Sequence, residues 1–158
     1  MLKGKTVVLP EGAMDKQATM SWAGDVAKMI AGIILNPKAM CETYNVATAE
    51  HMTWREVAEI YKKIGNLKYI TAPDNIYCDM ISPDNAYVKQ QLAYDRCFNR
   101  IVDNSKILEL CGMKQQDLMP LAKGLEHEFA GITLEGAGYN AETNERMDKY
   151  LESIGITE

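Results

Sequence analysis

Two histidines, four cysteines and a scatter of carboxylates are the groups with which this chain of 158 residues could do acid–base, nucleophilic or metal chemistry. A nucleophilic Ser or Cys needs a base beside it. His51 stands just ahead of a helix-start signal, and His127 lies in a helical stretch between Glu126 and Glu128, so both read as ordinary surface histidines. Neither has a second histidine three to five residues away, and no two of Cys41, Cys78, Cys97 and Cys111 form a CxxC pair. The usual zinc spacings are therefore absent. The cysteines read as reduced thiols of a cytoplasmic protein. A phosphate cradle needs a strand, a glycine-rich loop and a helix start in succession. The only GxG, Gly136-Ala137-Gly138, follows a helix end and reads as a flexible connector. The carboxylates are dispersed as on a solvated acidic surface, and the ten methionines read as adaptable core packing.

The charge balance points the same way. Seventeen Lys and Arg against 22 Asp and Glu give a formal charge of −5, which repels phosphate backbones and argues against nucleic acid as a partner. The longest apolar-rich stretch, Val26 to Leu35, is broken by Lys28 and is far shorter than the roughly 20 residues of a bilayer span, so no membrane is expected. The N-terminus does not read as a basic region followed by an apolar core and a cleavage site. Apolar residues at 47% and charged residues at 25% are those of a globular chain that can bury one core.

The elements follow from local pattern. Lys5 to Leu9 is a β-branched run stopped by Pro10 and Gly12, which predicts a strand. Gln17 to Ser21 predicts a second, and Tyr44 to Ala47 and Leu67 to Thr71 two more. Between them, Val26, Ala27, Ile30, Ala31, Ile33 and Ile34 recur at helical spacing as one apolar stripe, with Asp25 in the first turn and Asn36-Pro37 as the stop. Thr53-Trp54-Arg55-Glu56 is a capping box opening a helix at about 54 to 64, with Gly65 as its left-handed stop. Prolines 73, 83 and 120 are expected in the first turns of three later helices, the second capped by Ser82 and the third by Asp117. Asp103 or Asn104 caps another that ends at Gly112, and a last helix spans about 141 to 154. The regular strand–helix alternation of a complete doubly wound sheet is missing, so the fold class is α+β and helix-rich, with short strands in the first half and helices dominating the second.

The order of these segments carries a resemblance. Gly4-Lys5-Thr6-Val7-Val8-Leu9-Pro10 is followed by Ser21-Trp22-Ala23-Gly24-Asp25-Val26-Ala27, Glu42-Thr43-Tyr44-Asn45-Val46-Ala47, Thr53-Trp54-Arg55-Glu56 and Val102-Asp103-Asn104-Ser105-Lys106-Ile107. This succession resembles the C-terminal, substrate-binding part of the extended short-chain dehydrogenase/reductases, the NAD-dependent epimerase/dehydratase family, over about residues 4 to 130. Each segment also has a plain structural role, as strand, cap or helix start. The resemblance implies that an intact protein binds NAD(P) through a separate N-terminal Rossmann domain with a GxxGxxG loop and a Tyr-x-x-x-Lys pair. No tyrosine here has lysine four positions on, and the glycine loop is missing. The chain is therefore expected to hold no cofactor and no catalytic residue of its own. Strand-like residues almost at Met1 are expected of a chain cut from a larger sheet. Residues 1–135 would form the substrate-binding cap, and 136–158 a connector and a helix packed on it.

The family also implies where a small-molecule substrate would lie. The strand holding Val8 and Leu9 would run along a nucleotide base, and Arg96 or Arg100 would clamp a diphosphate through a bidentate fork. Asp95 beside Arg96 equally allows a surface ion pair. Ala18 stands where nucleotide-sugar epimerases usually carry a second arginine, and the loop at Glu11 to Asp15 is acidic. The substrate is then a nucleotide sugar or a smaller hydroxyl or carbonyl compound. The alternative is a freestanding, non-catalytic ligand-binding or interaction domain.

Overall fold

The β-branched run Thr6-Val7-Val8 extends the chain into β1 (Thr6–Pro10). The structure, a computed structural model, describes residues 1–18, 20–135 and 140–157. The partner of β1 is β4 (Lys68–Ala72), parallel to it, with Thr6 opposite Lys68 and Pro10 opposite Ala72. Parallel neighbours need a long crossover. Here it carries β2 (Gln17–Ala18), α1 (Ala23–Ile33), β3 (Met52–Thr53) and α2 (Trp54–Gly65). β2 and β3 make a separate antiparallel pair, Gln17 opposite Thr53 and Ala18 opposite Met52. After β4 come α3 (Asp74–Ile81), α4 (Ala86–Gln91) and a π-helical turn at Leu92–Arg96. The chain then forms α5 (Ser105–Cys111), α6 (Leu121–Ala130) and α7 (Ala141–Ser153). The fold is α+β and helix-rich, as expected. Among the described residues no helix is long and apolar enough to cross a membrane.

Alternation along β1 sends Val8 and Leu9 to opposite faces. Val8 is fully buried against Ala72, Met80 and Leu151, so α3 and α7 cover that face. An ion pair between Lys5 and Asp148 fastens the start of β1 to α7. A second cluster, Met29 with Ile107, Leu108 and Leu118, joins α1 to α5.

Several local expectations change. The capping box forms: Glu56 N donates to Thr53 Oγ1 at 3.2 Å, and Thr53 N donates to Glu56 Oε2 at 2.6 Å. The left-handed stop is Asn66, φ 51°, rather than Gly65. Gly65 is the last helical residue and serves packing instead, since a Cβ there would lie 2.6 Å from Cζ of Phe129 on α6. Pro73 and Pro120 stand at the N-caps rather than inside the first turns, with extended backbone. α4 starts at Ala86 under an Asn85 cap, not at Pro83. Asp117 closes a 3-10 turn by accepting from Lys114 N at 2.8 Å, rather than capping α6. The strand expected at Gln17 to Ser21 contracts to Gln17–Ala18 because its partner β3 is only two residues long, and Thr19 lies outside the described residues. The glycine connector at 136 and 138 also lies outside them.

Tyr44 to Ala47 is not a strand. Side chains rather than a ladder hold the segment from Ala47 onward. Asn104 Nδ2 donates to Ala47 O and to Gln115 Oε1, both at 2.9 Å, and Gln115 Nε2 donates to Thr48 Oγ1 at 2.7 Å. Thr48 N in turn donates to Ser21 Oγ at 2.9 Å. Thr48 and Asn104 are buried, so this network satisfies polar groups that could not reach water.

The predicted apolar stripe of α1 is not its buried face. Asp25 and Met29 point inward, while Ile30 and Ile34 are 46% and 62% exposed. Asp25 explains the rotation. Its carboxylate accepts from Met119 N at 2.5 Å and from Lys28 Nζ at 3.0 Å, tying α1 to the turn that leads into α6. Asp25→Ala removes the acceptor from a buried N–H and is expected to lower unfolding stability in urea by about 2–4 kcal/mol. A loss below about 0.5 kcal/mol, the size of a surface change, would show that this bond does not orient the helix.

Candidate ligand-binding site

β1 and β4 run the same way, so their carboxyl ends lie on one side, the side on which parallel sheets bind ligands. A cavity of about 430 Å³ has its floor made by Leu9 and Pro10 at the carboxyl end of β1, and it reaches Leu67 just ahead of β4. Trp54, Val57, Ala58 and Tyr61 on α2 form one wall. Tyr77 and Ile81 on α3, with Val88 and Leu92, form the other.

The chain leaving β1 closes the near end with Ala13 and Met14, which are 3% and 1% exposed. That segment is held from two directions. Gly12 N donates to Asp74 Oδ1 at 2.9 Å, and a Cβ at Gly12 would lie 2.3 Å from Asp74 Oδ2, so a larger residue there would push the carboxylate off this bond. From the other side, Trp54 N donates to Lys16 O at 3.1 Å and Arg55 N to Met14 O at 2.9 Å. Arg55 also grips Asp15 with two bonds, Nε to Oδ1 at 2.7 Å and Nη2 to Oδ2 at 3.2 Å. These bonds hold the Asp15 carboxyl below its ordinary range.

The far end is shaped by the π-helical turn. Cys97 N donates to Leu92 O at 3.0 Å, a bond one residue longer than in an α-helix. The wider turn puts Val88, Leu92 and Arg96, each four residues apart, along the same wall.

Charge is sparse here, and among the described residues Arg96 is the only charged one in the lining. Its guanidinium carbon lies 5.5 Å from the centroid of the Trp54 ring, a cation–π arrangement. Its Nε is 3.6 Å from Asp95 Oδ2, too long for a hydrogen bond, and the other oxygen of Asp95 is taken by Arg100. Trp54 Nε1 is buried and has no acceptor among the described residues. Burial, reinforced by neighbouring Cys78 and opposed by Arg96, pushes the Tyr77 phenol up, so it stays a neutral hydroxyl. Burial likewise pushes the thiols of Cys78 and Cys97 up, and the Asp74 carboxylate adds to both shifts.

Of the residues singled out from sequence, Leu9 and Arg96 come together in this cavity. Val8 faces the opposite side of the sheet and is sealed in the core. Arg100 lies outside the lining and is paired with Asp95. Trp54 and Tyr77 were not recognised as site residues. Trp54 has a local signal only as the first residue after a helix cap, and no local pattern marks Tyr77. The turn after β1 does not suit the pyrophosphate of a dinucleotide, because the Gly12 amide is already bonded to a carboxylate that would repel it. Among the described residues no group of three His, Cys, Asp or Glu could hold a metal ion.

Comparison of the chain with protein-family models, curated proteins and solved structures returns no match.

Two thiols packed with Ala13 and Leu92 report on the burial of the cluster behind the cavity wall. Cys41 is exposed, whereas Cys78 is buried and Cys97 is partly so. Thiolate is the reactive form, and a raised pKa withholds it until the pH passes above the ordinary value of 9.0. Alkylation followed by peptide mapping at slightly alkaline pH is expected to label Cys41 well before Cys78 and Cys97, which catch up only as the pH rises. Equal labelling at neutral pH would mean that this cluster is open.

Proposed function

We propose that this chain is the substrate-binding part of an NAD(P)-dependent epimerase, dehydratase or reductase, and that it holds the substrate in the cavity at the end of β1. The cofactor and the redox chemistry belong to a separate Rossmann domain of the same protein. The observation that carries the reading is the position of the cavity, against the carboxyl end of β1 and lined by both Leu9 and Arg96. Two further features support it. The turn after β1, with its Gly12 amide bonded to the Asp74 carboxylate, is unsuited to a dinucleotide pyrophosphate, which fits a cofactor held by another domain. The unburied stripe of α1, with Ile30, Ile34 and the 97%-exposed Leu35, is apolar surface of the kind that another domain covers. The substrate is a nucleotide sugar or a smaller hydroxyl or carbonyl compound.

A freestanding binding domain is the second reading. It is favoured by the closure of the cavity on several sides by elements of this one chain.

Calorimetric titration separates these readings from their failure. The chain is expected to show no micromolar affinity for NAD or NADP. Against a panel of nucleotide sugars and small hydroxy and keto compounds, it is expected to bind one class with Kd below about 1 mM. Ala13→Leu, which fills the cavity without touching Arg96, is expected to abolish that binding while the chain still melts cooperatively. Micromolar NAD binding would overturn the assignment of cofactor to another domain, and ligand binding unaffected by A13L would overturn the cavity as the site.

A further inference from the structure

Trp54 and Arg96, both in the cavity lining, carry donors that the described residues leave unpaired or poorly paired, and the two differ in kind. Trp54 Nε1–H is buried and unpaired among the described residues, a condition that costs roughly 1–3 kcal/mol. The Arg96 guanidinium lines the cavity, stacks on the same indole, and has only a long contact with an Asp95 already held by Arg100. Among the described residues neither group has a further hydrogen bond or ion pair, and beyond these contacts Arg96 acts only electrostatically on the Tyr77 phenol. Almost everything around them is apolar: Leu9, Pro10, Met14, Val57, Ile81 and Leu92.

Such walls discriminate by charge. A carboxylate entering them must be paired, and one guanidinium with an adjacent N–H pairs one negative charge. A diphosphate would bring a second negative charge that meets no second cation among the described lining residues, only the neutral donors of Tyr61, Tyr77 and Gln91. Size agrees, because about 430 Å³ is near the lower end of the 300–1,000 Å³ range of small-molecule sites.

We infer that the cavity takes a monoanionic organic acid with a compact apolar body, its carboxylate on Arg96 and Trp54 Nε1–H and its body against Leu9 and the α2 wall. The inference rests on the reading of this cavity as the substrate site and narrows its two substrate classes to the smaller. It also separates the roles of the two arginines. Arg96 selects the anion. Arg100 holds Asp95, so that Asp95 does not fully neutralise Arg96.

The test is a tryptophan-fluorescence titration of the full chain with 3-phenylpropionate, 3-phenylpropionamide and UDP-glucose, in the unchanged protein and in Arg96→Gln and Ala13→Leu. The acid is expected to bind about tenfold or more tightly than the amide. R96Q is expected to bring the acid down to the level of the amide and to leave the amide unchanged. This split would not follow from a purely structural role of Arg96. A13L is expected to remove both. Equal binding of acid and amide to the unchanged protein overturns the inference. So does binding of UDP-glucose without the acid, and if A13L abolishes that binding the cavity still stands as the substrate site. Binding that survives A13L overturns both.

Discussion

The stitching of the segment after β1 onto the start of α2 is the constraint on which the rest of the site depends. A strand that ends at Pro10 and a helix that begins at Trp54 are far apart in sequence. Backbone bonds from Trp54 N to Lys16 O and from Arg55 N to Met14 O hold them together. The two-residue pairing of β2 with β3 and the two hydrogen bonds that Arg55 donates to Asp15 reinforce them. The exposed ion pair alone would count for little. Its value here is that it closes a loop whose backbone is already engaged. With that segment fixed, Met14 and Ala13 are buried, Trp54 is turned toward Leu9, and a gap remains between α2 and the helices after β4.

The same construction sets the electrostatics of the gap. Its walls are hydrocarbon because the faces of α2, α3 and α4 that meet there are the apolar sides of amphipathic helices. The single cation arrives by a break in helical regularity. The π-helical turn at Leu92–Arg96 brings Arg96 into line with Leu92 and Val88, and π turns of this kind occur often at functional sites. Position and charge therefore have separate origins, one in the crossover between parallel strands and one in a local irregularity.

Much of this was readable in the residues. The capping box at Thr53, the strand at Val7-Val8, the helix end at Gly112 and the helix-rich α+β class follow from local chemistry. What was not readable depends on partners distant in sequence. Tyr44 to Ala47 has strand composition, yet Asn104 and the Gln115–Thr48 bonds engage the chain from Ala47 on. The stripe of α1 has clean helical spacing, yet a buried Asp25 bonded to Met119 turns a different face inward. At the site, Leu9 and Arg96 drew attention by resemblance. Trp54 looked like a capping neighbour, and its unpaired N–H exists only because α2 is docked where it is.

The most direct measurement of whether this cavity is the ligand site is a 1H–15N spectrum of the labelled chain, with the side-chain N–H signals assigned, on addition of 3-phenylpropionate. The two indoles are an internal control, since Trp22 Nε1 already donates to Glu128 at 2.8 Å in another part of the fold. The account predicts that Trp54 Nε1–H and Arg96 Nε–H shift together and saturably while Trp22 stays in place. Movement of Trp22 instead, or saturable binding that moves neither Trp54 nor Arg96, would contradict it.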